Sequence, residues 1–91
     1  MKYIRNDRFI CRKIIDNIIL FPVNCENNFQ GGISLNNVSY FVWEMLITAK
    51  TEYEISTMVA EKFQENINVV RQDIIELLEQ FVELKVVNIE N

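Results

Sequence analysis

The hydrophobic residues of this chain change rhythm once, from the alternation of strands to the spacing of helices. Between Phe9 and Val23 they form two β-branched and aromatic runs, FICRKII (Phe9–Ile15) and IILFPV (Ile18–Val23). Asp16 and Asn17 separate the runs, and both residue types tolerate turn conformations, so the pattern predicts a β-hairpin turning at Asp16-Asn17. Pro22 has no amide donor and belongs at a strand end or a sheet edge. The polar stretch Asn24–Gly32 predicts a flexible loop, and GISL (Gly32–Leu35) reads as a short third strand. Residues 1–8 are polar and are expected to be loosely held.

Beyond Leu35 the period becomes helical. Val38, Phe41, Val42, Met45, Leu46 and Ala49 follow an i, i+3, i+4, i+7 pattern, predicting a helix over Asn37–Ala49 with Asn36 as N-cap. Tyr40, Trp43 and Ile47 fall off that stripe, so this helix is expected to be sandwiched between other elements, with Trp43 in the core. Thr51 and Glu54 have the spacing of a capping box. They open a second helix whose expected buried face is Ile55, Met58, Val59 and Phe63. A third helix is expected over Val69–Leu84, with Val70, Ile74, Leu77, Leu78 and Phe81 as its main stripe. VVNI (Val86–Ile89) ends the pattern as a short extended piece. Strands followed by helices suggest an α+β fold, here a small three-stranded antiparallel sheet followed by three helices, resembling a winged helix-turn-helix.

Ninety-one residues form one small domain, with its ordered core expected over residues 9–87. Cys11 and Cys25 match no metal-ligand spacing and the chain has no His, which argues against a zinc site and for two free thiols. No apolar signal segment follows the charged first residues, and the longest apolar run is too short to cross a membrane, so a cytoplasmic location is the expectation. The chain has neither a phosphate-binding glycine motif nor a His for acid–base work, and no enzymatic activity or cofactor is expected.

Charge bears on the nucleic-acid reading. The net charge is −4, and residues 52–91 carry nine acidic residues against three basic ones. Asp73, Glu76, Glu79 and Glu83 would set a recognition helix against phosphate, so nucleic-acid binding is not expected through the third helix.

The third helix has more apolar residues than one buried stripe needs. At about 100° per residue, Ile75 and Val82 lie on a flank beyond Leu78 and Arg71. That flank either packs against the sheet or the C-terminal segment, or lines a groove with the third strand as the opposite wall. A strand edge beside an apolar helix is the geometry for adding a guest strand, and Ile33, Ser34 and Leu35 carry none of the charges or prolines that block such edges.

Four segments together resemble the PqqD-like family, also known as RiPP recognition elements: IIDNIILFPV, ISLNNVSYFVWEML, TEYEISTMVAEKF and VVRQDIIELLEQFVELKVV. The chain departs from the family where Ala49-Lys50 precedes Thr51 and where Lys85 precedes Val86, positions at which the family often has Gly. The resemblance implies a non-catalytic domain that binds the leader of a ribosomally made precursor peptide. It also implies presentation of that peptide to a modifying enzyme, often a radical S-adenosylmethionine enzyme. The leader would pair with Gly32, Ile33, Ser34 and Leu35, and Arg71, Ile75, Leu78 and Val82 would contact its side chains. Two other readings stay open: a winged-helix DNA-binding factor, and a structural module that dimerises through the same strand.

Overall fold

The computed structural model describes residues 1–23 and 32–91. Its elements in chain order are β1 (Lys2–Arg5), β2 (Phe9–Ile14), β3 (Asn17–Pro22), β4 (Ile33–Leu35), α1 (Asn37–Met45), α2 (Glu52–Phe63), α3 (Ile67–Glu83) and β5 (Val87–Glu90). The fold is mixed α+β, as the pattern predicts, with the antiparallel sheet β2-β3-β4 ahead of the three helices. The expected loop falls outside the described residues up to Gly31, as does Cys25.

A second sheet was not legible beforehand. β1 pairs antiparallel with β5, Tyr3 opposite Ile89 and Arg5 opposite Val87. The first residues are therefore anchored rather than loose. Tyr3 also exchanges backbone hydrogen bonds with Lys50 at 2.7 and 3.0 Å, and Asn6 N–H donates to the Val86 carbonyl at 2.9 Å. The Arg5 guanidinium lies 4.6 Å from the centre of the Trp43 ring. Trp43 is buried, and its indole N–H donates to the Val86 carbonyl at 3.2 Å, so the one polar atom of this large core residue is satisfied.

The hairpin turns one residue earlier than expected. Ile14 pairs with Asn17, which leaves Ile15 and Asp16 as the two-residue loop. Ile15 has φ 58°, a conformation that a β-branched residue adopts rarely. Register explains the shift: Ile18 and Leu20 must face the core together, and a one-residue slip would turn both to solvent. Burial in register overrides the local preference for Asp16-Asn17 as the turn.

Each helix begins where the sequence places a cap. The Asn36 side chain accepts from Ser39 N–H at 2.8 Å while Ser39 Oγ accepts from Asn36 N–H at 2.9 Å. Thr51 and Glu54 form the second capping box, and the bonds to Thr51 hold the Glu54 carboxyl below its usual pKa. α3 starts two residues before the expected Val69 because Asn66 caps it, its side chain accepting from Asn68 N–H at 2.8 Å.

α1 ends at Met45, short of Ala49. The Leu46 carbonyl accepts instead from Arg5 N–H at 2.9 Å, so the chain leaves the helix to meet β1. Ile47 is consequently exposed. The core joins Leu20 and Leu35 of the sheet to Val42, Ile55, Ile74 and Leu78 of the helices. Met58, expected on the buried face of α2, is exposed, and Ser56 and Ala60 are buried in that helix instead.

Candidate functional site

Adjacent residues of an antiparallel strand direct their backbone groups to opposite neighbours. Val23 N–H donates to the Arg8 carbonyl, which fixes the parity of β3. Asn17, Ile19 and Phe21 then address β2, and Ile18 and Leu20 address β4. Leu35 stands opposite Ile18, and Ile33 opposite Leu20. Ile33 and Leu35 therefore direct their amides and carbonyls to β3. Ser34, between them, directs its N–H and C=O to the outer margin of the sheet. The Asn36 amide has the same parity but donates to Ser39 Oγ within the capping box. Among the described residues β4 has no strand neighbour other than β3, so Ser34 is the exposed hydrogen-bonding position of this edge.

Gly32 brings the chain onto β3 at close range. A β-carbon there would overlap Ile19 Cγ2 and approach the Leu20 carbonyl oxygen to 2.8 Å. Only glycine fits that approach, and the start of the edge depends on it.

The outer margin of β4 faces α3 across a cleft of about 180 Å³. Ile33, Ser34 and Leu35 form one wall, and Leu77, Gln80, Phe81 and Leu84 form the other. Phe81 is buried, Leu77 is half-buried, and Leu84 is 49% exposed. The cleft thus offers apolar contacts at Phe81, Leu77 and Leu84 among polar ones at Asn36, Ser39 and Gln80, beside backbone groups able to pair with an extended chain. A peptide laid there would gain ladder hydrogen bonds from the edge and apolar contacts from the helix.

The helix residues expected at this cleft lie elsewhere. Arg71 is committed to α2, its Nε donating to both carboxylate oxygens of Glu52 at 2.9 and 3.0 Å. Leu78 is 1% exposed and belongs to the core. Val82 lines a separate depression with Tyr3 and Ile89, beside the β1–β5 sheet. Ile75 is half-buried and is not among the residues lining the β4 cleft.

The helical wheel explains the placement. Ile75 and Val82 flank the buried stripe on one side, and Leu77, Gln80 and Leu84 flank it on the other. The first flank is the more apolar and drew attention. Val82 follows the other alternative left open by the sequence, packing by the C-terminal segment.

Elsewhere, Cys11, Lys13, Ile18, Tyr40 and Glu44 line a depression beneath the sheet. Burial, and then the Glu44 carboxylate, raise the Cys11 pKa against the opposing effect of Arg5. Glu44 likewise raises the pKa of Tyr40. A thiol held protonated in this way is a poor nucleophile. Among the described residues, no cluster of three or more His, Cys, Asp or Glu is placed to hold a metal ion. Among those same residues, no helix is long and apolar enough to cross a membrane.

The profile of the family described as coenzyme PQQ synthesis protein D (PqqD) matches residues 18–87. The chain belongs to the PqqD family. That match begins within β3 and ends at the first residue of β5, so it contains both walls of the cleft. No curated protein matches the chain. Among solved structures, the PqqD-family chain is similar to one described as TbiB1 in complex with the TbiA(beta) leader peptide. The TM-score is 0.73, with 16% sequence identity, over 97% of this chain and 98% of that one. At that identity the likeness speaks for a shared fold. It covers more of the chain than residues 18–87.

Proposed function

We propose that this PqqD-family chain is a non-catalytic recognition domain for the leader segment of a ribosomally synthesised precursor peptide. The leader adds as a strand to the outer margin of β4 and lowers apolar side chains into the cleft against Leu77, Phe81 and Leu84. Holding the leader raises the effective concentration of the rest of the precursor at a modifying enzyme, which is the second partner in this reading. One observation carries the proposal: Ser34 directs an amide and carbonyl, unshared among the described residues, toward a cleft formed with α3 that offers apolar contacts at Leu77, Phe81 and Leu84. The family membership and the leader peptide named with TbiB1 support the choice of guest.

The acidic face of α3, with Asp73, Glu76 and Glu79 exposed, disfavours the alternative of a DNA-recognition helix.

The test is the affinity of a fluorescent leader peptide, from a short precursor open reading frame sought next to this gene, measured by anisotropy. The wild-type chain is expected to bind at micromolar concentration or tighter, since an extended guest loses conformational freedom on binding. Ser34→Pro removes the outward amide while leaving the bonds of Ile33 and Leu35 to β3 in place. It should keep the wild-type circular dichroism spectrum and bind about tenfold more weakly or worse. A folded Ser34→Pro chain with unchanged affinity overturns strand addition at β4.

A further inference from the structure

The cleft does not stop at the end of β4. A second depression of about 340 Å³ continues it past Leu35, lined by Asn36, Val38, Ser39, Asp73, Leu77 and Gln80. It shares Asn36, Ser39, Leu77 and Gln80 with the first. A third, of about 280 Å³, shares Val38, Asp73 and Ile74 with the second and adds Val59, Phe63 and Val70. Through these shared residues the three adjoin one another along α3, from Leu84 to Val70. At about 1.5 Å per helical residue that span is roughly 21 Å, the reach of about six or seven extended residues. β4 contributes only three residues, Ile33 to Leu35, so half of the groove lies beyond the edge.

The extension has a distinct chemistry. Its floor is apolar, from Val38, Ile74 and Val70, while its charged rim is entirely acidic: Asp73 and Glu76, then Glu65. None of these carboxylates has a cationic partner among the described residues. The ion pairs there join Arg5 to Glu44 and Arg71 to Glu52. Arg71, the only basic residue of α3, is thus bonded to the opposite side and does not offset Asp73 or Glu76.

We infer that the groove beyond Leu35 takes the continuation of the same guest peptide, and that this continuation carries an apolar anchor next to a Lys or Arg. The inference rests on the proposed strand addition at β4 and names what the guest must hold outside its strand-forming part. The β4 margin, bonding through main chain, admits many sequences. The acidic rim discriminates among them, because a basic guest residue gains from Asp73 and Glu76 whereas an acidic one is repelled.

The experiment is an mRNA-display selection of random 16-residue peptides at low ionic strength. It is run in parallel on the wild-type chain, on Ser34→Pro and on the double variant Asp73→Asn, Glu76→Gln. Wild-type selections should enrich an alternating apolar tract with Lys or Arg two to four residues to one fixed side. The double variant should enrich the same tract without the basic residue. Changing that basic residue to Glu in a selected peptide should weaken wild-type binding about fivefold, and binding to the double variant less than twofold, as for solvent-exposed charge pairs.

An enriched tract with no basic preference on the wild-type chain overturns this inference and leaves strand addition standing. A basic preference that persists on the double variant assigns the charge effect to other residues and also overturns it. A selection that enriches nothing, or enriches equally on Ser34→Pro, counts instead against recognition at β4, and the inference falls with it.

Discussion

Lys85 is a residue at which this chain's local chemistry and its fold disagree. Its φ is 65°, in the left-handed region that glycine favours. It follows α3 in a Schellman arrangement, with Val86 N–H returning to the Phe81 carbonyl at 3.1 Å and Lys85 N–H to that of Val82 at 3.0 Å. The sequence flagged this position because the family often has glycine there, and the backbone supplies the reason. Lys85→Gly should therefore stabilise the chain by about 1 kcal/mol. A higher urea midpoint at constant m-value would bear this out, and a lower midpoint would count against it.

Leu78 and Leu84 make the complementary contrast on α3. Leu78→Ala opens a hole in the core and should cost about 2–5 kcal/mol of stability. Leu84→Ser, at the exposed rim, should change stability by no more than about 0.5 kcal/mol. It should nevertheless weaken leader binding severalfold in the anisotropy measurement. The buried positions Val70, Ile74 and Phe81 were legible from spacing alone, because helical period records which side is covered. Period does not record what covers it, and Leu77 and Leu84 were missed as groove residues for that reason.

Elements were legible in proportion to how local their causes are. Three helices could be placed from capping residues and apolar stripes that lie within a few positions of one another. β4 could be recognised as a strand, but not which of its amides faces outward. That parity depends on pairing with β3, which the hairpin register fixes, and the hairpin itself turns one residue away from the expected Asp16-Asn17. The consequence for testing is concrete. Ile33→Pro, the obvious disruption of the strand, removes a donor directed to β3 and damages the sheet, whereas Ser34→Pro addresses the margin. β1 was invisible because KYIR is too short to reveal alternation and its partner, β5, lies at the far end of the chain. The early end of α1 follows from the same omission, since the Leu46 carbonyl bonds to Arg5 of β1.

At the scale of the whole molecule, the two sheets assign different tasks to the two flanks of α3. The β1–β5 sheet lies on the Val82 side, with Tyr3 and Ile89 against it. The β2-β3-β4 sheet approaches the Leu77–Leu84 side without closing on it, which leaves the groove. The sequence pattern pairs β4 with the Ile75–Val82 flank of α3, whereas the cleft beside β4 is lined from the Leu77–Leu84 flank, because the β1–β5 sheet lies against the Val82 side. The uneven charge has a place in this arrangement as well: Asp73 and Glu76 lie exposed along the groove, and Glu79 and Glu83 lie exposed beside the Val82 depression on the other flank.

The central claim is that a guest peptide becomes the next strand beside β4, and backbone hydrogen exchange at single-residue resolution reads it directly. In the free chain the Ile33 and Leu35 amides should exchange slowly, because both are directed to β3, and the Ser34 amide should exchange quickly. Saturating leader peptide should slow exchange at Ser34 by at least tenfold, with far less change at its two neighbours. A bound leader that leaves Ser34 exchanging at its free rate would contradict the account.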